Sequence, residues 1–149
     1  MTEAKGRMET KAGIETIEYN GTKYAEVIWA GTVVKTTTFF SPAESSFQFG
    51  LLAHEAGFSE PPHFHLATTR AISDLQQMFV VQRGVVAVDL YDDDGNHLRE
   101  IILRAGDAIV LVHGVHAVRV LEDMQCISVK QGPFLGTERD KVFARVNPR

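Results

Sequence analysis

The stretch Gly57-Phe58-Ser59-Glu60-Pro61-Pro62-His63-Phe64-His65 decides the reading of this chain. Side chains alternate faces along a β-strand, so His63 and His65 project from the same side. Two imidazoles on one face can enter one cavity and share one ion. Two later segments extend the pattern. Gln77 and Gly84 are separated by six residues, and Gly106 opens a run that ends in His113-Gly114-Val115-His116. Within Gln77–Val81, alternation puts Gln77, Phe79 and Val81 on one face. If that face is interior, the Gln77 carboxamide needs a partner, which a metal or a ligand hydroxyl would supply.

A divalent transition ion takes ligands from more than one direction. One strand offers His63 and His65. His116 follows a glycine turn at the start of another strand and is placed to supply a third nitrogen. His113 competes with it, because a small shift in the turn would exchange the two. His54 reads as a residue of the barrel mouth. His97, beside an acidic turn, reads as solvated.

Working outward, the chain is a series of short β-type runs punctuated by turn residues. Ile14–Tyr19 and Tyr24–Trp29 flank Asn20-Gly21, a hairpin signal because both residues tolerate positive φ. The remaining runs are Val33–Phe40, Phe47–Ala53, Gln77–Val81, Val85–Tyr91, Leu98–Leu103, Ala108–Val112, Ala117–Leu121 and Cys126–Lys130. Leu66–Gln76 lacks strand character, and a short helix is expected near Thr137–Phe143. Asp92-Asp93-Asp94-Gly95-Asn96 reads as a hairpin turn. A calcium loop would need alternating oxygen ligands and a distal glutamate between helices. So many short strands indicate an all-β sandwich or barrel. Residues 1–13 read as a flexible leader and 14–149 as one barrel domain.

The bulk numbers agree with a globular domain. Of 149 residues, 44% are apolar and 23% charged, and the net charge is −4. Such a chain carries no basic footprint for nucleic acid. No apolar run is long enough for a membrane span, and Met1–Gly13 lacks a secretory core, so a cytoplasmic location is expected. The one cysteine, Cys126, lies in an apolar stretch and reads as a buried, inert thiol.

Gly57–His63–His65, Gln77–Gly84 and Gly106–His116 resemble the two motifs of the cupin superfamily. The resemblance covers about Phe47 to Lys130. It implies a double-stranded β-helix, the jelly-roll barrel, holding a divalent metal such as Fe, Zn, Ni or Mn. Carried over by position, the ligands are His63, His65, Gln77 and His116. Gln77 stands where the family has Glu, and eleven residues separate it from His65 where the family has three or four. In the second motif Val112 replaces a Pro, Val120 replaces an Asn, and the interval before His116 is one residue shorter. Loss of an anionic ligand weakens metal retention and makes a metal-free site plausible. The eleven-residue interval suits either a lid or a plain surface insertion.

Phe79–Gly84, the acidic hairpin and Val129–Phe134 are similar to small cupins of nucleotide-sugar and surface-polysaccharide biosynthesis. Keto-sugar isomerases of that group use a His-x-His pair and a nearby Gln in a metal-free barrel, although their acidic C-terminal motif is not evident here. This resemblance implies an isomerase- or epimerase-like enzyme of a carbohydrate or sugar nucleotide. His65 or His116 would be the catalytic base, His63 its partner and Gln77 a hydrogen-bond donor. The alternatives are a three-histidine metal-dependent dioxygenase and a non-catalytic small-ligand-binding barrel. Single-domain cupins usually pair through β edges, so a homodimer is expected, with a small-molecule ligand and neither nucleic acid nor membrane as partner.

Overall fold

The structure, a computed structural model, describes residues 10–149, which are nearly all β, with 43% strand and 3% helix. The strands are β1 (Ile14–Tyr19), β2 (Thr22–Ile28), β3 (Thr38–Phe39), β4 (Gly50–Leu51), β5 (Gln77–Tyr91), β6 (His97–Arg104), β7 (Ala108–Leu111) and β8 (Val115–Lys130), followed by the single-turn helix α1 (Thr137–Asp140). The chain forms two compact units. One comprises the residues up to Thr32 together with Gln76–Arg149, and the other is Val33–Leu75. The boundary falls inside the stretch 14–149 that the sequence suggests as one domain.

The first unit is a strongly curled antiparallel sheet ordered β1-β2-β7-β5-β6, with β8 also paired to β5. This is a barrel-like, all-β arrangement. β1 and β2 join at Asn20-Gly21, whose φ angles of 49° and 75° give the tight turn that the dipeptide signals. β5 is the spine. Its first half pairs with β7 on one side, its second half with β6, and β8 follows it from Gln77↔Lys130 to Tyr91↔Val115. The core gathers Val27, Trp29, Val81, Val86, Val88, Leu90, Ile101, Leu103, Ile109 and Leu111. Each such side chain contributes about 1.5–3 kcal/mol on burial.

Two pairs of expected strands are single strands. Val81 and Val85 belong to one β5, and Leu121 and Cys126 to one β8, because the ladder absorbs the intervening residues as bulges between Val81 and Val86. Gly84, with φ 84°, makes this possible. A Cβ there would stand 2.2 Å from the Asp123 carbonyl oxygen.

The acidic stretch is the β5–β6 hairpin turn. Asp92 Oδ1 accepts from the Asp94 and Asn96 amides, and Asn96 Nδ2 donates to Oδ2. The bonds from Asn96 hold the Asp92 carboxyl below its ordinary value. Of the expected leader, residues 1–9 lie outside the described residues. Lys11 O accepts from the Gly31 amide, and Gly13 exchanges bonds with Trp29 and Thr32.

In the second unit the expected runs Val33–Phe40 and Phe47–Ala53 shrink to β3 and β4, two residues each. Phe40 packs on Phe49 at 6.3 Å between ring centroids. Gln48 Nε2 donates to the carbonyls of Pro42, Ala43 and Ser45, so a side chain closes the turn that a longer ladder would otherwise hold. Leu66–Leu75 carries no strand, as the sequence suggests.

Candidate functional site

In the second unit, His63 and His65 face each other edge-on, with ring centroids 5.4 Å apart. His63 Nδ1 lies 3.1 Å from the Pro61 carbonyl oxygen. A carbonyl only accepts, so Nδ1 carries the proton and, in the neutral ring, the Nε2 lone pair is left available. A backbone carbonyl that fixes a tautomer in this way is the usual support of a metal-binding or basic histidine. His54 stacks flat on Phe58 at 3.9 Å and bonds Thr37 Oγ1 through Nε2.

In the first unit, Phe79 and Val81 pack in the core, so Gln77 begins on the inward face that alternation assigns to it. Its Nε2 donates to Ser128 Oγ at 2.9 Å. The partner that a half-buried carboxamide requires is thus a protein hydroxyl. His116 stands opposite Leu90, and Val118 opposite Val88, which puts His116 on the same face as two core residues. Gly114, with φ 77°, delivers it there, and a Cβ at that position would press on Tyr24 and on the Tyr91 carbonyl. Gln77 and His116 occupy opposite ends of the β5–β8 ladder. Between them lies an apolar hollow of about 380 Å³ lined by Phe79, Val86, Val118, Met124 and Cys126.

His116 opens into a cleft of about 690 Å³ bounded by Tyr91, Gly114–Val118, residues 140–144 and Val146. Burial, then the Lys141 charge, pulls its pKa below the ordinary value, so the imidazole is neutral at pH 7. By surface area His116 is nonetheless an exposed residue. His113, its competitor in sequence, is engaged elsewhere. It pairs with Asp93 at 3.0 Å and packs edge-on against Tyr24.

His97 departs from the solvated state expected of it. Its Nε2 lies 3.2 Å from the buried Asp89 carboxylate, and its ring packs on Tyr91. Asp89 also receives Arg119 Nε at 2.8 Å and pairs with Arg149, while both arginines reach Glu100. Sequence reading missed this cluster. The register Asp89↔Glu100 and Ala87↔Arg119 puts its members on one face, but pairing across three strands is invisible in linear order. The Cys126 thiol is half-buried beside Met124 Sδ at 3.5 Å, and burial pushes its pKa up, consistent with an inert thiol.

Among the described residues, no group of three or more His, Cys, Asp and Glu side chains is gathered to hold a metal ion. No helix among them is long and apolar enough to cross a membrane. The chain matches no protein-family model, no curated protein and no solved structure.

Proposed function

We propose that this chain is a cupin-type jelly-roll barrel of the cytoplasm that moves a proton on a carbohydrate or sugar nucleotide, as an isomerase or epimerase does. The observation that carries this reading is His116, a neutral imidazole held in a ligand-sized cleft. Removing a proton next to a carbonyl needs a base whose lone pair is free near pH 7, and neutral histidine meets that need. His65, with His63 beside it, is the alternative base to His116 in this reading. Gln77, held by Ser128 at the far end of the β5–β8 ladder, is not part of the His116 cleft. The active form is proposed to be a homodimer.

The test is proton exchange. Keto-sugar nucleotides are incubated with the protein in deuterium oxide, and label entering the carbon next to the carbonyl is followed by NMR. Of His116→Ala and His65→Ala, the variant that removes the base is expected to lose exchange by roughly 100-fold or more with the fold intact by circular dichroism. Full exchange in both variants, or none in the wild type with any keto-sugar nucleotide, overturns the reading.

A second reading, a metal centre at His63 and His65, is favoured by the available Nε2 of His63. Two nitrogens fit part of a coordination sphere of Fe, Zn, Ni or Mn. Near-stoichiometric metal in tag-free protein, lost in the His63→Ala, His65→Ala double variant, would establish it. Metal-free protein after incubation with each ion would remove it.

A further inference from the structure

In the first unit, the turn from β6 to β7 and the far end of β2 enclose a further pocket of about 470 Å³, within the range of small-molecule sites. Arg104 stands opposite Val85 and Tyr91 opposite His97, so this pocket and the His116 cleft lie at opposite ends of the β5–β6 ladder. The chain itself fixes the walls. Asp107 Oδ1 accepts from the Ala30 amide and Oδ2 from the Arg104 amide, each at 2.8 Å, which clips the turn to the strand end. Gly31 N donates to Lys11 O at 2.9 Å and Trp29 N to Gly13 O at 3.2 Å, which lays the segment before β1 along the same end. Trp29 Nε1 donates to Glu15 Oε2, so the buried indole has one orientation.

Two exposed cations line this pocket from distant parts of the chain. Lys11 Nζ lies 4.2 Å from the Trp29 ring centroid, and Arg104 comes from the turn. Among the described residues, neither side chain reaches a carboxylate. Glu15 is held by Arg99, and both Asp107 oxygens are taken by the two amides. The pocket thus gathers two positive charges and one negative, a balance that a monoanion completes. The planar fork of an arginine matches a carboxylate. Trp29, Ala30, Ile102 and Ala105 make much of the remaining lining apolar, so an apolar body attached to that carboxylate would be buried against them.

We propose that this pocket binds a small organic monocarboxylate, with Arg104 and Lys11 on the carboxylate and the apolar body against Trp29 and Ile102. The site stands apart from the proton-transfer reading, because the pocket and the His116 cleft share no residue.

Trp29 is the one tryptophan of the chain, so its indole N–H resonance reports on this pocket. The test follows that resonance while the protein is titrated with hexanoate, benzoate, hexanamide and inorganic phosphate. At least one of the two carboxylates is expected to shift it saturably. Hexanamide, which keeps the shape of hexanoate without the charge, should bind about tenfold or more weakly. Arg104→Gln should weaken the carboxylate by about tenfold, and Lys11→Gln several-fold, with the circular dichroism of both unchanged. Arg104→Lys should recover only part of the loss, since an ammonium lacks the fork. No saturable shift with either carboxylate overturns the proposal. Equal affinities for hexanoate and hexanamide overturn it too, by making the pocket merely apolar. Phosphate binding more tightly than both carboxylates would make it a bare anion site, and unchanged affinity in Arg104→Gln would remove the arginine from it. Either result rejects the proposal.

Discussion

At the scale of single residues, the buried carboxylate of Asp89 has the sharpest consequences. Burial alone would raise its pKa. Bonds from Arg119 and His97, with the charges of Arg119 and Arg149, outweigh that effect and hold it below its ordinary value of 3.8. A folded-state pKa below the unfolded one means that stability is present above the unfolded value. It is lost as pH falls through the folded one. The wild type should therefore lose stability below about pH 4. Asp89→Asn should cost about 1–3 kcal/mol at pH 7 and flatten that acid limb. Urea denaturation from pH 7 to pH 2 measures both. An unchanged acid limb in Asp89→Asn would show that other carboxylates govern acid unfolding. The candidate site was partly legible at this scale. Alternation alone put Gln77 on the core face, because side-chain direction is a local property of a strand. The engagement of His97 was not legible, since its partner Asp89 lies across a hairpin whose register no local pattern specifies.

At the scale of elements, turns were more legible than strand ends. Asn20-Gly21 fixed β1 to the residue because its backbone preference is intrinsic. Gly84 misled for the opposite reason. A glycine between two apolar runs signals a break, but here it sits in a bulge where the neighbouring strand approaches too closely for any side chain. Val33–Phe40 and Phe47–Ala53 look like strands by composition, yet Val33 and Leu52 are 88% and 74% exposed, and little apolar burial supports a longer ladder. The helix expected near Thr137–Phe143 is present but ends at Asp140. The bulge makes a quantitative prediction. Gly84→Ala adds a strained φ and a collision with the Asp123 carbonyl, and should destabilise by about 2–4 kcal/mol in chemical denaturation. Gly21→Ala has a positive φ but open space around the added methyl, and should cost only about 1–2 kcal/mol. Equal losses in the two variants would mean that β8 moves aside and the close approach is not a constraint.

At the scale of the whole molecule, β8 raises the question of what meets its outer edge. It runs for 16 residues and, among the described residues, pairs with β5 alone. Val120, Leu121, Ile127 and Val129 along it are 44–56% exposed. A long apolar edge with unpaired backbone groups is a template for another strand, and proteins cover, charge or kink such edges. Of its charged side chains, Lys130 and Arg119 are held by Asp140 and the Asp89–Glu100 pair, and only Glu122 and Asp123 interrupt the two apolar stretches. A second copy of the chain supplies a self-complementary cover, since two antiparallel edges related by a two-fold axis exchange the same bonds in both directions. A closed pair removes both edges at once, whereas a head-to-tail contact leaves one open for continued growth. The proposed homodimer should therefore appear by light scattering at twice the chain mass. Val120→Lys combined with Ile127→Lys should shift it to monomer, because an antiparallel pair would bring four ammonium groups into one apolar seam. The monomer should keep its β-sheet circular dichroism, as neither residue belongs to the core. A wild type that is monomeric at every concentration, or a double variant that stays dimeric, would remove β8 as the interface.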